Sequence, residues 1–280
     1  MTELLNRPET PRNKMKRHWK WIVGGVVGLI LLVIAGSFIY AKVINKADPA
    51  FGQDDVNAKL DAATTTVALD PLVLGTTVGT DPAADPAAAT TTIAATQSSI
   101  EADTAAGAAD GVWNIKEGSE VGYRVKETIS GFDTTANGRT QAITGTMTAD
   151  GTTITTGEFT VDMTTFKSDE SRRDEQFNTR VMDVANFPTS TFILTQPIDF
   201  GAIPPEGGSV NATATGDLTL HGTTKPVTFD VQGTFKNGLV GVLGQIPVVF
   251  ADYGIPAPSL GPVKTEDNGL LEFVLVLQHE

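Results

Sequence analysis

Few residues in this sequence are of a type that could carry catalysis or bind a metal. The chain has no cysteine, and His221 and His279 are its histidines outside the basic N-terminal segment. The lack of cysteine rules out thiol catalysis, disulfides and Cys-ligated metal. A catalytic triad needs a base beside serine, usually histidine, and no G-x-S-x-G motif occurs. The sequence therefore predicts no catalytic residue, no metal and no cofactor, and we expect a protein that is not an enzyme.

A charged cluster, Arg172 to Glu175, is the other candidate for acid–base chemistry. It lies in the one segment with helical spacing, which opens on a capping-box pattern, Ser171-x-x-Asp174, and ends at Phe187-Pro188. A solvated helix face with local ion pairs is the favoured interpretation of these charges. His221 is interpreted similarly, as a turn residue that hydrogen-bonds locally.

Strands must position most of the remaining residues. Apolar and polar residues alternate strictly on both sides of a Gly- and Pro-containing segment at 221–226, which indicates two strands joined by a turn. Such strands have one apolar and one wet face, which favours a curved antiparallel sheet or barrel with an apolar interior. The apolar face consists of Val210, Ala212, Ala214, Leu218, Leu220, Val227, Phe229, Val231 and Phe235.

The same alternation recurs from Trp113 to Glu280 and predicts about eight strands with one short helix. Ile154 is out of phase with Phe159, which predicts a β-bulge near Gly157. This pattern is typical of a mainly β protein, a closed antiparallel barrel of a size that can hold a ligand.

Three segments resemble the YceI-like family of exported, lipocalin-like lipid-binding proteins. Arg173-Asp174-Glu175 followed by FPTSTF at 187–192 is similar to the family's RDE helix and the strand start after it. The most specific segment, GDLTLHGTTKPV at 216–227, is close to the family pattern G-x-L-T-(I/L)-x-G-x-T-K-P-V. DYGI at 252–255 resembles the late D-(F/Y)-G-(I/M). The resemblance covers about Val112 to His279 and implies an eight-stranded antiparallel lipocalin-like barrel whose apolar tunnel holds a long polyisoprenoid.

The resemblance makes the inward-facing apolar residues candidates for lining that tunnel, although alternation alone fits a filled core equally well. The lining candidates are Phe159, Met163, Phe166, Phe177, Met182, Phe187, Phe192, Leu218, Leu220, Phe229, Tyr253 and Phe273. The polar or structural candidates are Arg173, Asp174, His221 and Asp252.

One position departs from the family pattern. Family members often carry a basic residue two positions before the late aspartate, where this chain has Phe250. The departure favours a more apolar ligand over one with a recognised polar head group.

Two functions of different classes fit these features. The first is a binding protein for an isoprenoid or other long apolar lipid; the second is a surface or stress-response interaction module with a solidly packed barrel. Small residues on the inward faces leave room for a ligand and favour the first. They are Gly145, Ala212, Ala214, Gly216 and Gly233.

The N-terminal region has the pattern of a membrane anchor. Residues 21–40 contain no charge, and about 20 residues at about 1.5 Å each match a hydrocarbon core of about 30 Å. A cleaved signal peptide is the alternative, but its apolar region is usually shorter. The basic residues at 12–20 place the N-terminus in the cytoplasm and the rest outside. We therefore expect a basic tail at 1–20 and a single-pass signal anchor at 21–41 of a bacterial cell membrane.

Between anchor and barrel, residues 42–110 are rich in Ala, Thr, Asp and Pro. Few aromatic residues and a net negative charge predict a flexible linker, with the barrel at 111–280 standing well off the membrane. The net charge of −13, without a basic stripe in the exported part, argues against nucleic-acid binding. The expected partners are therefore an apolar lipid and the membrane, and the sequence does not predict an oligomeric state.

Overall fold

The computed structural model describes residues 12–39, 47–65, 109–256, 258–259 and 263–280, with side chains except at 12–20, 22 and 65. These residues form helices α1 (Arg12–Ile39), α2 (Gln53–Thr65) and α3 (Ser171–Gln176), and short 3-10 turns at Met163–Thr165 and Phe250–Tyr253. The strands are β1 (Gly111–Ile115), β2 (Glu120–Ile129), β3 (Phe132–Thr140), β4 (Ile143–Asp150), β5 (Thr153–Asp162), β6 (Thr189–Leu194), β7 (Ile198–Asp199), β8 (Ser209–Leu220), β9 (Thr223–Lys236), β10 (Leu239–Val249), β11 (Val263–Thr265) and β12 (Asn268–His279).

The strands close into an antiparallel barrel. β1 pairs with both β4 and β12, so the order β1-β4-β5-β6-β8-β9-β10-β12 returns to its start after eight strands. β2 continues the wall beyond β1 along β12, with β11 further along the same edge of β2 and β3 on its other edge. Closure leaves the ring without free edges and gives it an apolar interior. The predicted eight-stranded antiparallel barrel is confirmed.

The β8–β9 hairpin has a tighter turn than predicted. Leu220 pairs with Thr223, so the turn consists of His221 and Gly222 alone, with φ of 49° and 71°. Two consecutive residues with a left-handed backbone conformation form the type of two-residue turn whose twist matches that of the flanking strands. Pro226 belongs to β9 and lies where β10 does not yet pair, since that pairing starts at Val231. A missing N–H is tolerated there.

Two other local predictions are shifted. The bulge in β5 is at Thr155, because Thr148 pairs with Thr156 and Ala149 with Ile154. α3 ends at Gln176 and continues into a π-helical turn at Phe177–Val181.

The predicted capping box is wrong. The N-cap of α3 is Glu170, which makes no side-chain cap bond. The Asp174 carboxylate reaches further back and accepts from the Ser168 amide and hydroxyl, at 2.8 and 2.7 Å. The aspartate therefore ties the helix to the preceding loop rather than to Ser171.

Residues 47–65 form an ordered strap, a name used below for this segment, on the outer wall of the barrel. α2 packs Val56 and Leu60, both fully buried, against Leu239, Val274 and Val276. The prediction of a flexible linker at 42–110 is therefore wrong for residues 47–65; its parts at 42–46 and 66–108 lie outside the described residues. The strap also covers Thr234, which alternation placed on a wet face: Gln53 Nε2 donates to its hydroxyl at 2.9 Å, and it is 1% exposed.

α1 lies at the predicted anchor. Its apolar side chains are solvent-exposed, from Trp21 at 78% to Ile39 at 48%. Near its end, Phe38 meets Phe132 of β3 edge-on, with ring centroids 5.4 Å apart. No helix in the described part of the chain is long and apolar enough to cross a membrane. Residues 1–11, 40 and 41 lie outside that part, so the tail and anchor boundaries stay predictions.

Candidate functional site

The interior of the barrel contains a cavity of about 230 Å³, which we call the barrel cavity. This is far more than the roughly 15 Å³ that one water molecule requires. Its described lining contains no charged side chain, and polar groups are limited to Ser190, Thr191 and Thr234. Period-two alternation explains this lining, because every second residue of each strand points inward. The arrangement can hold an apolar molecule but offers it little polar recognition.

Aromatic rings shape the barrel cavity. Phe229 meets Phe192 and Phe273 edge-on, with centroid distances of 5.4 and 6.0 Å. Edge-to-face contacts fix the rings beyond what burial alone would do. Because the three residues come from β6, β9 and β12, the cluster joins both sides of the barrel.

The small inward residues do not all make room for a ligand. A Cβ on Gly216 would lie 2.4 Å from the Phe192 ring, and one on Gly145 would lie 2.6 Å from the ring of Phe159. These glycines therefore accommodate aromatic side chains of the protein itself. Ala212, Ala214 and Gly233 do line the barrel cavity, so the expectation of space holds for these three.

A second cavity of about 460 Å³ lies between the β2–β3 hairpin, α3 and the segment around Phe250; we call it the hairpin cavity. Leu220 and Leu271 line both cavities. Tyr123 stacks on Phe177 at 4.8 Å, and both line the hairpin cavity, while Phe166 of the barrel cavity lies 5.1 Å from Phe177. A thin apolar and aromatic partition thus separates two adjoining spaces.

The hairpin cavity carries the charges that the barrel cavity lacks. Glu127 is 7% exposed, and its carboxylate lies 3.6 Å from Arg173 Nη2. Arg173 also donates to Asp169. Burial disfavours the charged guanidinium, but the carboxylates of Asp169 and Glu127 outweigh it and raise the pKa of Arg173. Glu127 and Arg173 are thus paired with each other at one side of the cavity.

Tyr123 contributes a neutral hydroxyl to the same wall. Burial raises the pKa of the Tyr123 phenol well above its ordinary value, although the Arg173 charge opposes this. The phenol therefore stays neutral. The uncharged Tyr123 ring stacks on the Phe177 ring.

Phe250, where family members often carry a basic residue, is 8% exposed and lines the hairpin cavity. An aromatic ring here replaces a potential partner for a polar head group by apolar surface. The site is consistent with the more apolar ligand that the sequence favours.

Most predicted lining residues face one of the two cavities. Phe177 and Met182 line the hairpin cavity, and Leu220 lines both; the polar candidate Arg173 lines the hairpin cavity as well. The barrel cavity is lined by Phe159, Met163, Phe166, Phe192, Leu218, Leu220, Phe229 and Phe273.

Phe187 and Tyr253 line neither cavity, in contrast to the prediction. Phe187 packs against His221, with ring centroids 4.6 Å apart. Tyr253 is 3% exposed, and its carbonyl lies 3.2 Å from His221 Nδ1. The three residues form a structural contact around the β8–β9 turn, which agrees with a local role for His221. Asp252 beside them is exposed.

Sequence reasoning missed Glu127 as a site residue, although a signal was present. Glu127 is in phase with Val121, Tyr123 and Val125, so a carboxylate interrupts an otherwise apolar face. A charge on an inward face requires a partner, and Arg173 provides it. Trp113 was likewise missed; it is 2% exposed, lines the barrel cavity and donates its indole N–H to the Ala109 carbonyl.

Among the described residues, no group of three or more His, Asp and Glu side chains is placed to hold a metal ion. Asp174, a predicted polar candidate, is used in the loop contact with Ser168. The catalytic and metal predictions therefore stay predictions.

Comparison with known proteins places this site in a family. Residues 113–277 match the family model of the YceI-like domain. A UPF0312 protein of Vibrio campbellii is 29% identical over 167 residues, covering 56% of this chain and 84% of the relative.

Two solved structures are similar to the chain. Burkholderia cenocepacia BcnA is 20% identical, with 56% of this chain and 95% of that chain covered and a TM-score of 0.44. A polyisoprenoid binding domain from Saccharophagus degradans, implicated in plant cell wall breakdown, is 14% identical, with coverages of 60% and 98% and a TM-score of 0.49. The barrel topology is established by strand pairing rather than by these alignments.

Proposed function

The chain belongs to the YceI-like domain family, and we propose that its barrel binds a long apolar lipid, a polyisoprenoid or a chain of similar character. The observation that carries the proposal is the barrel cavity, whose described lining contains no charged residue and is apolar apart from three small polar residues. Burying hydrocarbon contributes about 0.8 kcal/mol per CH₂, so a long chain gains ample affinity without polar contacts. Binding, rather than catalysis, is the activity that such a lining supports.

We further propose that α1 anchors the protein in a cell membrane with the barrel on the extracytoplasmic side. The uncharged run at 21–40 and the basic residues before it support this orientation. The exposed apolar side chains of α1 form a surface that a bilayer would cover. Storage, transport and protection of a membrane-derived lipid all fit an anchored carrier.

Native mass spectrometry of the full chain, extracted from a bacterial membrane in detergent, tests lipid binding. We expect a bound species that organic extraction and fragmentation identify by a series of isoprene units or by a long alkyl chain. An apo mass that persists after incubation with polyprenol would overturn the proposal and favour a role for the outer surface of the barrel.

Two pairs of variants connect the bound lipid to the cavity. Leu220→Asp places a charge in the lining and should abolish lipid retention, whereas Thr219→Asp, on the other face of β8, should retain the load. Ala212→Phe fills the cavity without a charge and should reduce the load or shorten the bound chain, with Thr213→Phe as its control. Circular dichroism and thermal unfolding establish that each variant is folded. Full retention in folded Leu220→Asp and Ala212→Phe would contradict a lipid in this cavity.

A further inference from the structure

We propose that the β2–β3 hairpin end of the barrel faces the membrane, and that lipid passes between the bilayer and the hairpin cavity at this end. The inference rests on the proposed membrane anchoring by α1. It adds an orientation and a route to the proposed function, and four features of the described residues carry it.

The first feature is the direction of the strap. At one end of the strap, Asp61 pairs with Lys236 beside the β9–β10 turn, at 2.7 Å. At the other end, the Asp48 carbonyl accepts from Arg124 of β2 at 2.7 Å, and its carboxylate lies 3.4 Å from Asn137 of β3. Followed towards its N-terminus, the strap therefore runs from the β9–β10 end of the barrel towards the β2–β3 hairpin.

The second feature is the short link between the strap and α1. Seven residues separate Ile39 from Ala47, and a fully extended chain spans at most about 28 Å over that distance. A barrel held by the strap cannot stand off the membrane on the long flexible tether that composition predicted. It lies close to the point where α1 ends.

The third feature is a direct contact. Phe38, in the last turn of α1, meets Phe132 at the start of β3 edge-on at 5.4 Å. Phe132 pairs with Ile129 across the tip of the β2–β3 hairpin. The hairpin tip is therefore the part of the barrel that adjoins the end of the proposed anchor.

The fourth feature is the location of the hairpin cavity at this same end. Its lining includes Ile129, next to the tip, and Val263 of β11, which pairs with it. Ile255 and Pro258 from the loop before β11 complete this side. The opposite end of the barrel cavity is lined by Phe200, Ile203 and Pro204 of the β7–β8 connection. A lipid that moves from the bilayer through the hairpin cavity reaches the barrel cavity past Leu220 and Leu271 without exposing its chain to water.

The strap holds this orientation firmly. Val56 and Leu60 are fully buried, and Lys59 Nζ lies 2.8 Å from the Glu120 carboxylate. A Cβ on Gly241 of β10 would lie 2.5 Å from Val56, so the glycine permits the close approach of α2 to the wall. The strap is thus part of the folded domain and transmits the position of α1 to the barrel.

Single cysteine substitutions in the full chain, reconstituted in phospholipid nanodiscs, test the orientation. The chain has no cysteine of its own, so each variant takes one nitroxide label. Ser130→Cys labels the exposed hairpin tip, and Ala202→Cys labels the exposed β7–β8 connection at the opposite end. A nickel chelate on the lipid head groups should relax the Ser130→Cys label several-fold more than the Ala202→Cys label. Equal relaxation of the two labels, or stronger relaxation at position 202, would overturn the orientation.

A linker insertion tests the short connection with the strap and barrel left intact. A Gly/Ser segment of about 40 residues inserted after residue 43 has an end-to-end distance of roughly 35 Å. In this variant the relaxation at position 130 should fall to that at position 202. Loading from vesicles that contain polyprenol should slow several-fold, and the final load should be unchanged. Unchanged relaxation and unchanged loading rate would contradict the proposed route.

These measurements separate the orientation from lipid binding. Strong relaxation at position 130 without any lipid load would leave the orientation standing and overturn the lipid route together with the proposed function. A full lipid load with equal relaxation of the labels would leave lipid binding standing and overturn the orientation.

Discussion

Glu272 is a fully buried carboxylate on the outer side of β12, under the strap. Arg124 and Arg139 lie 3.2 and 3.4 Å from its Oε1 atom. Both guanidinium groups also donate to the strap, at the carbonyls of Asp48 and Pro49, and Arg139 lies 4.0 Å over the Phe51 ring. A buried charge is tolerated only with such partners. Glu272 therefore links the barrel wall, both arginines and the start of the strap.

Removing this charge should destabilise the domain. Breaking a buried ion pair by changing one partner costs about 3–5 kcal/mol, because the remaining charges stay desolvated. We expect Glu272→Gln to lower the free energy of unfolding by about 3 kcal/mol in urea denaturation. Glu158→Gln, at an exposed position of β5, should change it by less than about 0.5 kcal/mol. Equal effects of the two substitutions would show that the buried network contributes nothing.

Tyr123 makes the free energy of unfolding depend on pH in the alkaline range. Burial raises the pKa of its phenol above the ordinary value of 10.0, so the folded state holds the proton more tightly than the unfolded state. The resulting stability is fully present below pH 10 and is lost as pH rises towards the folded-state pKa. Above about pH 10, the wild-type protein should lose about 1.4 kcal/mol per pH unit more than Tyr123→Phe. Thermal unfolding from pH 8 upward measures this, and parallel curves would contradict it.

At the scale of elements, α2 was absent from the sequence prediction, although two signals pointed to it. Val56, Leu60 and Ala63 follow the i, i+4, i+7 spacing of one helix face, within a segment whose Ala, Asp and Thr content is otherwise typical of a linker. Val274 and Val276 are apolar on the outward face of β12, where a half-exposed strand would be polar. Each signal is weak alone, and alternation within one strand does not say what covers its outer face.

The packing of α2 is tested by its largest fully buried side chain, Leu60. We expect Leu60→Ala to lower the free energy of unfolding by about 3 kcal/mol, from lost burial and from the cavity left behind. Ala58→Ser, on the exposed side of the same helix, should have little effect. Hydrogen exchange of the α2 amides should rise in Leu60→Ala alone. A stability unchanged by Leu60→Ala would mean that the strap does not fold with the barrel.

The strands were predictable because alternation depends on local sequence and a closed barrel has a single interior. Leu218, Leu220 and Phe229 accordingly line the cavity as expected. Phe187 and Tyr253 were misplaced because they lie in turns, where no periodicity indicates a direction. The partition of the interior into two cavities was also unpredictable, since it depends on Tyr123 and Phe177, which are far apart in sequence.

At the scale of the whole molecule, the folding unit extends beyond the region that matches the family. The family model covers residues 113–277, whereas the strap lies at 47–65. The outward-facing Leu239, Val274 and Val276 need the strap to be covered. The strap is therefore an integral part of this domain rather than a connection to it.

Two shortened chains test the size of this unit. A chain that begins at Ala47 keeps the strap, whereas one that begins at Ala109 loses it and exposes the apolar outer wall. We expect the shorter chain to lose at least about 3 kcal/mol of its free energy of unfolding. Because a domain of this size loses about 2–4 °C in Tm per kcal/mol, its Tm should fall by roughly 6–12 °C. The shorter chain should also self-associate in analytical ultracentrifugation. Equal Tm and a monomeric state for both chains would contradict a strap-dependent domain.

The position of β12 sets the time at which the barrel can form. β12 follows every other strand in the sequence, yet it pairs with β1, β2 and β10 and carries the wall on which the strap packs. The Ser119 hydroxyl bonds to Val276 across 157 residues of chain, and Arg124 meets Glu272 across 148. At about 5–20 residues per second, a ribosome needs from several seconds to more than twenty seconds to synthesise the residues that separate these partners. Contacts so distant in sequence also slow folding itself. The pairing of β1, β2 and β10 with β12, and the packing of the strap on β12, therefore cannot form until β12 emerges, and its twelve residues complete the barrel.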